Sequence, residues 1–353
     1  MSKKKDEEQI VIDNQIDFIY DEINKEYGDG IVTPAVDFMR RPKQVIPLSP
    51  ALDVALNGGI PEGSWFTLSG PPKIGKTTLS IHLCKKCQLP ENGARDIYYF
   101  DIEGRLKNMN LDVPGLNKDK FFVVGSQSNK ILTAEEYLTI AEKIARTKPK
   151  SVIVLDSVSA LCTETEGNAG MDEMQRADGP KLLAKFCRKM TNIIPVNNLI
   201  VVAITHIMAN PSGYGKATLE KSGFAVRFQV DVKLVGKSLE RWEVPNNPKP
   251  VGQIVKWIME TSALGGIPFT EVDSYIRYGQ GIDELLELIV LGTQLGLINK
   301  AGAWYSCPFL SEFVTDYDEK KFKFQGQEKL YDFFLKNPEY SKYLDQAFRK
   351  LVN

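Results

Sequence analysis

Several features that mark a secreted, membrane-bound or metal-centred protein are scarce in this sequence. Its 353 residues include 5 cysteines and 2 histidines. An odd number of scattered cysteines favours reduced thiols over a disulfide framework. The lysines near the N-terminus are not followed by the apolar segment of a signal peptide. The apolar runs 152–155 and 199–204 are far too short to cross a bilayer. We therefore expect a cytoplasmic location and no membrane partner.

The sequence also lacks an excess of charge of either sign. The formal net charge is −1, with 25% charged and 43% hydrophobic residues. This balance is typical of a globular protein with a core large enough to fold without disulfides. Any surface that binds nucleic acid must therefore be a local patch and not a property of the whole chain.

From about residue 46, short apolar runs alternate with amphipathic segments. Near-continuous apolar strands between helices predict an α/β fold with a mainly parallel central sheet covered on both faces. The predicted strands are 65–69, 97–100, 151–155, 199–204 and 230–235, and the predicted helices are 79–87, 134–146 and 181–194.

The two ends of the chain differ from this central pattern. Near the N-terminus an apolar stripe at helical spacing, which includes Ile16, Ile19 and Ile23, stops at Gly28. Polar residues surround the stripe, so it packs either on its own domain or on a neighbouring subunit. After Gly281 the chain becomes mainly helical, with 282–299 and 331–352 as predicted helical segments. We expect an N-terminal segment 1–45, a core 46–281 and a small C-terminal α+β domain 282–353.

Two stretches rich in small and polar residues interrupt the core. Residues 163–172 contain two glycines, and residues 208–222 combine Gly, Ser and Pro with few large apolar side chains. Such composition predicts irregular, mobile loops at both places.

A phosphate-binding loop is the most specific motif in the sequence. The pattern G-x-x-x-x-G-K-[ST] is fulfilled between a predicted strand and a predicted helix, which is the context that the motif requires. Backbone N–H groups of such a loop surround the β-phosphate of ATP, the lysine reaches the β- and γ-phosphates, and the threonine hydroxyl completes a Mg²⁺ shell. The nucleotide-binding residues are Gly70, Pro71, Pro72, Lys73, Ile74, Gly75, Lys76 and Thr77, with Thr78 after them.

Polar residues at the ends of three other predicted strands suggest the rest of an ATPase site. Asp156 ends an apolar strand and is a candidate partner of Mg²⁺, although an aspartate there is also a common helix cap. Either Asp101 or Glu103 has the position of a base that activates water. His206 follows another strand, where it either contacts the γ-phosphate or serves as a capping or core histidine.

These motifs in this order resemble the RecA family, including its phage UvsX-type members. The segment 46–63 is similar to the entry of the family's ATPase core, and Asp156-Ser157-Val158-Ser159-Ala160-Leu161 is similar to its D-S-V-A-A-L segment. Tyr278-Gly279-Gln280-Gly281-Ile282 and Ala301-Gly302-Ala303-Trp304-Tyr305-Ser306 also match the family. The similarity covers roughly residues 20 to 352, and the A-G-A-W-Y-S block makes it specific.

The resemblance implies a RecA-like P-loop NTPase core and assigns roles within the site. Glu103 takes the position of the catalytic glutamate, beside Lys76. His206 takes that of the switch residue, which is glutamine in bacterial members. The UvsX-like histidine suggests a phage origin, and thus a bacterial or phage-infected host cell.

The resemblance also implies which residues bind DNA and which bind a neighbouring subunit. Segment 163–172 corresponds to the first DNA-binding loop, segment 207–222 to the second, and two cations on the predicted helix 181–194 to DNA-contacting arginines. The DNA-binding candidates are Gly167, Asn168, Gly170, Lys181, Arg188, Ile207, Met208, Ser212, Gly213, Lys216, Lys221, Ser222 and Gly223. The interface candidates are Ile16, Ile19, Ile23, Arg227 and Phe228.

Two departures from the family pattern accompany this resemblance. The stretch 260–264 lacks the lysines that reach the neighbour's nucleotide in the family, and the adenine-stacking tyrosine is replaced near Asn110.

The resemblance implies an ATP-dependent recombinase, with ATP and Mg²⁺ as cofactors. It would form helical filaments on single-stranded DNA and exchange the strand with double-stranded DNA. A single-strand binding protein and a loader are further candidate partners. The alternatives are a ring-shaped ATPase or helicase on the same core, and a recombination mediator that binds ATP with negligible turnover.

Overall fold

The computed structural model describes residues 19–108, 111–170, 178–210, 218–220, 230–244 and 247–352. The candidates Ile16, Asn110, Ser212, Gly213, Lys216, Lys221, Ser222, Gly223, Arg227 and Phe228 lie outside these residues. The chain divides into two compact units, Met1–Lys43 and Gln44–Asn353.

The first unit contains helix α1 over residues 19–27 and helix α2, Ala35–Met39. Helix α1 ends at Gly28, whose φ of +118° is accessible to glycine at little cost. The Asn24 side chain accepts a hydrogen bond from the N–H of Val32 at 3.0 Å, which holds the chain beyond that turn. Ile19 is 51% exposed and Ile23 is half-buried.

The second unit contains a large sheet with helices on both faces. The strands of this unit are β1 Val45–Ile46, β2 Ile60–Pro61, β3 Ser64–Gly70, β4 Ile97–Asp101, β5 Phe121–Val124, β6 Val152–Asp156, β7 Ile200–Ala209, β8 Thr218–Glu220, β9 Val232–Trp242, β10 Gly252–Thr261, β11 Thr270–Arg277, β12 Gly281–Ile282, β13 Asn299–Ala301, β14 Trp304–Ser306 and β15 Lys323–Gln325. Its helices are α3 Pro50–Leu56, α4 Lys76–Cys87, α5 Ala134–Thr147, α6 Glu164–Asn168, α7 Asp178–Val196, α8 Glu284–Gln294, α9 Gln327–Lys336 and α10 Pro338–Val352.

The large sheet has a parallel half and an antiparallel half. Its strand order is β12-β11-β10-β9-β3-β7-β6-β4-β5, and β8 pairs with β7. The strands from β9 through β3, β7, β6 and β4 to β5 are parallel to their neighbours, whereas β9 to β12 pair antiparallel. The expected α/β fold with a mainly parallel sheet and the expected parallel strands are therefore confirmed, and β3, β4, β6 and β7 end at one edge.

Alternate residues of the central strands enter two separate hydrophobic cores. Val152 and Val154 of β6 belong to the core beneath α3 and α4, while Ile153 and Leu155 belong to the core beneath α5 and α7. Because side chains alternate across a strand, a fully apolar strand such as β6 is stable only with both faces covered.

Residues 285–352 enclose a third core. It is rich in aromatic side chains from β14, α9 and α10, including Tyr305, Phe334 and Phe348. Leu288 and Ile289 of α8 also belong to this core.

The structure corrects the expectation of irregular chain in the described parts of both polar stretches. Residues 164–168 form helix α6, because Thr163 and Glu166 make a reciprocal capping box that satisfies the first free N–H groups. Met208 and Ala209 continue strand β7 and pair with Leu219 and Thr218 of β8. Backbone pairing thus supplies hydrogen bonds that the side-chain composition does not predict.

Two further boundaries differ from expectation. The predicted helical stretch 282–299 ends as a helix at Gln294, and Asn299 begins strand β13. The strand predicted over 230–235 begins at Val232 and continues to Trp242. Along this length it pairs with β10.

Candidate functional site

The loop between β3 and α4 has the conformation of a phosphate cradle. Gly75 adopts φ +99°, and a Cβ built there would lie 2.5 Å from Cδ1 of Ile276. Only glycine therefore fits at this position. Lys73 also has a positive φ, of 66°. The Ile74 side chain is buried and packs in the core beneath α4, whereas Pro72, Lys73 and Thr78 line the cavity above the loop.

Lys76 begins helix α4 and directs its ammonium group along the loop. Its Nζ donates hydrogen bonds to the carbonyl oxygens of Gly70 and Pro71, each at 2.8 Å. The residue is only 5% exposed. Burial lowers the pKa of Lys76 to about 8, and the nearby carboxylates of Asp156 and Glu103 oppose that shift. A largely buried cation in a glycine loop at the start of a helix suits an anionic ligand such as a polyphosphate.

Asp156, at the end of β6, is held by two hydroxyl groups. Thr77 Oγ1 donates to Asp156 Oδ2 at 2.9 Å, and the Tyr99 hydroxyl donates to the same oxygen at 2.6 Å. Burial raises the pKa of Asp156, while the hydrogen bonds from Tyr99 and Thr77 act to lower it. The sequence motif predicted Thr77 and Asp156 at this point, whereas Tyr99 was not predicted.

The donor set fits Mg²⁺ better than a metal held by protein alone. The described ranges contain no group of three or more His, Cys, Asp or Glu side chains placed to share an ion. Mg²⁺ in nucleotide sites commonly takes one or two protein oxygens and completes its shell with water and phosphate. Thr77 and Asp156 supply that arrangement of hard oxygen ligands.

Glu103 and Asp101, which the sequence left as alternatives, have different surroundings. Both carboxylate oxygens of Asp101 accept backbone N–H groups, from Arg105 and Leu106, at 3.0 Å each. Glu103 accepts a hydrogen bond from Ser157 Oγ at 2.7 Å and forms an ion pair with Arg105, whose Nε lies 3.0 Å from Oε2. Asp101 thus caps a turn, whereas Glu103 projects toward the phosphate loop.

The protonation state of Glu103 follows from these contacts. Burial acts to raise the pKa of Glu103, but hydrogen bonds from Ser157 and His206 and the charge of Arg105 bring it below the ordinary value. The carboxylate is therefore ionised at neutral pH, as a general base must be.

His206 links the phosphate loop to the acid. Its Nε2 lies 2.6 Å from Glu103 Oε1, and its Nδ1 lies 3.4 Å from Lys76 Nζ. The backbone N–H of His206 donates to Ser159 Oγ at 3.0 Å, which fixes this part of β7 beside the segment after β6. One imidazole ring therefore contacts both the Lys76 ammonium and the Glu103 carboxylate.

Two cavities meet at this point. The first, of about 340 Å³, lies above the phosphate loop and is bordered by Thr77, Glu103, Asp156 and His206. Its lining residues that the sequence did not predict are Arg105, Leu106, Gln253, Ile276 and Tyr278. Of these, only Tyr278 had a sequence signal, since it begins the Y-G-Q-G-I block.

The second cavity, of about 660 Å³, connects the acid with the start of the second predicted DNA loop. Glu103, Arg105 and His206 border it together with Ile207 and Met208. The catalytic candidates and the first residues of the predicted DNA segment therefore share one surface.

The remaining described DNA candidates lie on α6 and α7. Gly167 and Asn168 are in α6, and Gly170 follows it. Lys181 and Arg188 are exposed and lie seven residues apart on α7, on one side of that helix. Lys181 forms an ion pair with Asp178 at 3.4 Å.

This fold and site define a P-loop ATPase of the α/β class, with its nucleotide cavity at the carboxyl edge of a parallel sheet. A family model of the RecA N-terminal domain matches residues 14–283, and one of the RecA C-terminal domain matches residues 286–353. The chain belongs to the RecA family, and it is an ATPase of DNA recombination and repair.

Curated relatives cover most of the chain at moderate identity. A Protein RecA of Oleidesulfovibrio alaskensis is 32% identical over 292 residues, which are 80% of this chain and 79% of that protein. One of Rickettsia bellii is 30% identical over 340 residues, 93% of this chain and 90% of the relative. One of Campylobacter jejuni subsp. doylei is 29% identical over 333 residues, with the same coverage of 93% and 90%. These relatives are bacterial, and the phage origin stays a prediction.

The structure also bears on the expected absence of a membrane span. Of the helices in the described ranges, none combines the length and apolar character needed to cross a bilayer.

Proposed function

We propose that this chain hydrolyses ATP within a helical filament on single-stranded DNA and pairs that strand with a homologous duplex. One observation carries the proposal: the contacts from Lys76 through His206 to Glu103, at the end of the strand that leads into the second DNA loop. This arrangement connects a phosphate-binding group, a candidate base and a DNA segment within one hydrogen-bonded set.

The phosphate loop would hold the nucleotide. Backbone amides around Gly75 and the Lys76 ammonium bind the β- and γ-phosphates, where the start of α4 adds positive partial charge. Thr77 and Asp156 are the residues that would hold Mg²⁺. When bound, Mg²⁺ neutralises charge that develops on the phosphates.

Glu103 would act as the base that orients water for attack. Its carboxylate is ionised, and Ser157 and His206 fix its direction by hydrogen bonds. A base that two hydrogen-bond donors already fix loses little entropy when it reaches a reactive geometry. Such positioning is the main contribution of the protein to phosphoryl transfer.

His206 would report the nucleotide state to the DNA-binding segment. A phosphate beside Lys76 changes the charge next to the imidazole ring, and the ring lies one residue before Ile207. Segments 163–172 and 207–222, with Gly223 after them and Lys181 and Arg188 on α7, would contact the single strand through backbone amides and cations.

Assembly and partners follow from the same scheme. Residues 1–45, with Ile16, Ile19 and Ile23, would bind a neighbouring copy, and Arg227 and Phe228 would also belong to a subunit interface. Residues 46–281 would carry the ATPase, and residues 282–353 would form a small C-terminal domain. A single-strand binding protein, a loader and a cytoplasmic location belong to the same proposal.

Phosphate release titrated with single-stranded DNA, followed by imaging of the same sample, tests this proposal. We expect turnover that rises with DNA, helical filaments in the presence of ATP, and loss of both turnover and strand exchange in Lys76→Ala. Closed rings would favour a helicase-like motor, and negligible turnover by the wild-type chain would favour a mediator. Undiminished strand exchange by Lys76→Ala would refute the proposal.

A further inference from the structure

Arg105 is a cation of the nucleotide cavity that the P-loop motif does not include. It follows Glu103 by two residues in the turn after β4 and borders both cavities of the site. Its side chain is 74% exposed, so its guanidinium is accessible from the cavity.

The turn that carries Arg105 is fixed by the strand before it. The Asp101 carboxylate accepts the N–H groups of Arg105 and Leu106 at 3.0 Å each, and the Leu106 side chain is buried. Gly104 adopts φ +65° within the same turn. Because the backbone is held on both sides of Arg105, its side chain leaves from a defined point at the cavity edge.

The guanidinium of Arg105 forms one ion pair, in which its Nε lies 3.0 Å from Glu103 Oε2. Within the residues that the structure describes, the Arg105 side chain donates no hydrogen bond. The N–H donors of this planar fork are therefore available to a ligand, and such a fork matches the oxygens of a phosphate group.

Arg105 and Lys76 are two cations that line the same cavity. Burial is the main cause of the lowered pKa of Lys76, and the charge of Arg105 also acts to lower it. Bringing like charges together is unfavourable unless an anion lies between them, and a terminal phosphate beside Lys76 would be that anion.

We propose that Arg105 binds the γ-phosphate of ATP from within the same chain and, in doing so, leaves the Glu103 carboxylate. In the ADP state Arg105 stays paired with Glu103. In the ATP state the doubly charged terminal phosphate is the stronger bidentate partner, and the released Glu103 oxygen becomes available to orient water. This inference rests on the proposed function, since it requires nucleotide in the loop around Lys76.

Comparing the affinities of the full chain for two different nucleotides distinguishes binding of the γ-phosphate by Arg105 from a purely structural role. Each variant is titrated calorimetrically, with Mg²⁺, against ADP and against the β,γ-imido analogue of ATP. We expect Arg105→Ala to weaken the analogue roughly 10- to 100-fold and ADP less than about threefold, as the loss of charged hydrogen bonds to one phosphate predicts. Arg105→Lys is expected to bind the analogue with intermediate affinity, because it keeps the charge without the fork.

Lys107→Ala is the matched control. Lys107 lies two residues further on, is exposed, and is not among the residues that line either cavity. It should bind both nucleotides as the wild type does, and thermal unfolding of each variant checks that it is folded. Should Arg105→Ala be unstable, Arg105→Gln replaces it.

The assignment would be overturned if Arg105→Ala lost affinity equally for ADP and for the analogue, or lost affinity for neither. Lys76→Ala distinguishes this failure from failure of the nucleotide site. If Lys76→Ala loses affinity for both nucleotides while Arg105→Ala matches the wild type, only the role of Arg105 is wrong. If Lys76→Ala also binds both normally, the nucleotide site itself is wrong.

Discussion

The imidazole Nε2 of His206 lies 2.6 Å from Oε1 of Glu103, although the two residues are 103 positions apart in the chain. The parallel pairing of β3 with β7, and of β4 and β7 with β6 between them, brings their ends to one edge of the sheet. The contact joins the candidate base to the strand that continues into the second predicted DNA loop. It provides a physical route by which DNA and nucleotide affect each other's binding.

Removal of the imidazole should uncouple the two ligands. In His206→Ala, Glu103 loses one donor and Lys76 loses its link to β7, so we expect DNA to stimulate ATP turnover at least about tenfold less. His206→Gln keeps a hydrogen-bonding group and should retain part of the stimulation. Phosphate release with and without single-stranded DNA measures this effect. Wild-type stimulation in His206→Ala would exclude the histidine as the connecting residue.

Tyr99 should influence the affinity for Mg²⁺ through Asp156. Burial and the neighbouring Asp156 carboxylate raise the pKa of Tyr99 well above its ordinary value, so its hydroxyl stays protonated and donates to Asp156. Loss of a residue that orients a metal-binding group commonly weakens the metal about tenfold or more. We expect Tyr99→Phe to need roughly tenfold more Mg²⁺ for half-maximal ATP turnover.

Tyr98→Phe is the control for that experiment. Tyr98 is the preceding residue on β4, and its ring faces the opposite core, where it stacks on Phe122 with centroids 5.2 Å apart. Its Mg²⁺ dependence should equal that of the wild type. If both variants need the same additional Mg²⁺, the effect comes from a general loosening of β4 and not from the Tyr99 hydroxyl.

Arg95 should be a major contributor to stability. Its side chain is fully buried and pairs with Glu62 at 2.5 Å. The guanidinium also donates to the side chain of Gln44 and to the carbonyl groups of Asn92, Lys150 and Asn198. Removing one partner of a buried ion pair leaves an uncompensated charge, and such changes cost about 3–5 kcal/mol. We therefore expect Arg95→Met to lower the free energy of unfolding by about that amount in urea titrations.

An exposed arginine provides the comparison for Arg95. Arg146 pairs with Glu142 one helical turn away on α5 and is largely solvent-exposed. Surface pairs of this kind contribute little, so Arg146→Met should leave the unfolding midpoint nearly unchanged. Similar losses in the two variants would contradict the importance of the buried contacts.

Glu287 should make the stability of the chain depend on pH. It is fully buried on α8, accepts hydrogen bonds from Ser274 Oγ at 2.6 Å and from the N–H of Ala51 at 3.0 Å, and its pKa is raised by burial from 4.5 to about 7. The folded chain therefore holds this proton more tightly than the unfolded chain. The stabilisation is complete below pH 4.5 and is lost as the pH rises through 7.

Glu287→Gln removes this titration and keeps both hydrogen bonds, since the amide can accept from Ala51 and donate to Ser274. Between pH 5 and pH 8 the wild type should lose on the order of 2 kcal/mol more stability than the variant. Asp53 is present in both proteins; burial raises its pKa to about 7 and the Glu287 charge adds to that shift, so Asp53 contributes to the difference only through this coupling. Urea unfolding at the two pH values measures the difference. Equal pH dependence in both proteins would contradict this role of Glu287.

The sequence predicted the parts of the site that local rules determine. The loop Gly70–Thr77 is recognisable because its glycines and the start of a helix lie within eight residues. The apolar strands that end in Asp156 or lead to Glu103 and His206 are recognisable from their runs of apolar residues. Parallel strands place their carboxyl ends together, so these residues were expected at one edge. Choosing Glu103 over Asp101 required the family resemblance, because spacing alone does not reveal which carboxylate caps the turn.

The parts that were missed depend on pairing between distant segments. Strands β10 and β11 bring Gln253, Ile276 and Tyr278 to the cavity, but their mixed charged and apolar residues gave no strong strand signal. Tyr99 appeared to be one more apolar strand residue, and only the placement of β4 beside β6 reveals its bond to Asp156. Arg105 belongs to no sequence motif, and only the turn held by Asp101 places it at the cavity.

ATP turnover by Glu103→Gln in the presence of single-stranded DNA tests the central claim most directly. The substitution keeps the shape of the side chain and removes the base. We predict that the variant binds ATP and DNA, forms stable filaments in electron micrographs, and releases phosphate at least about 100-fold more slowly than the wild type. Wild-type turnover by this variant, or its failure to assemble on DNA with ATP, would contradict the account.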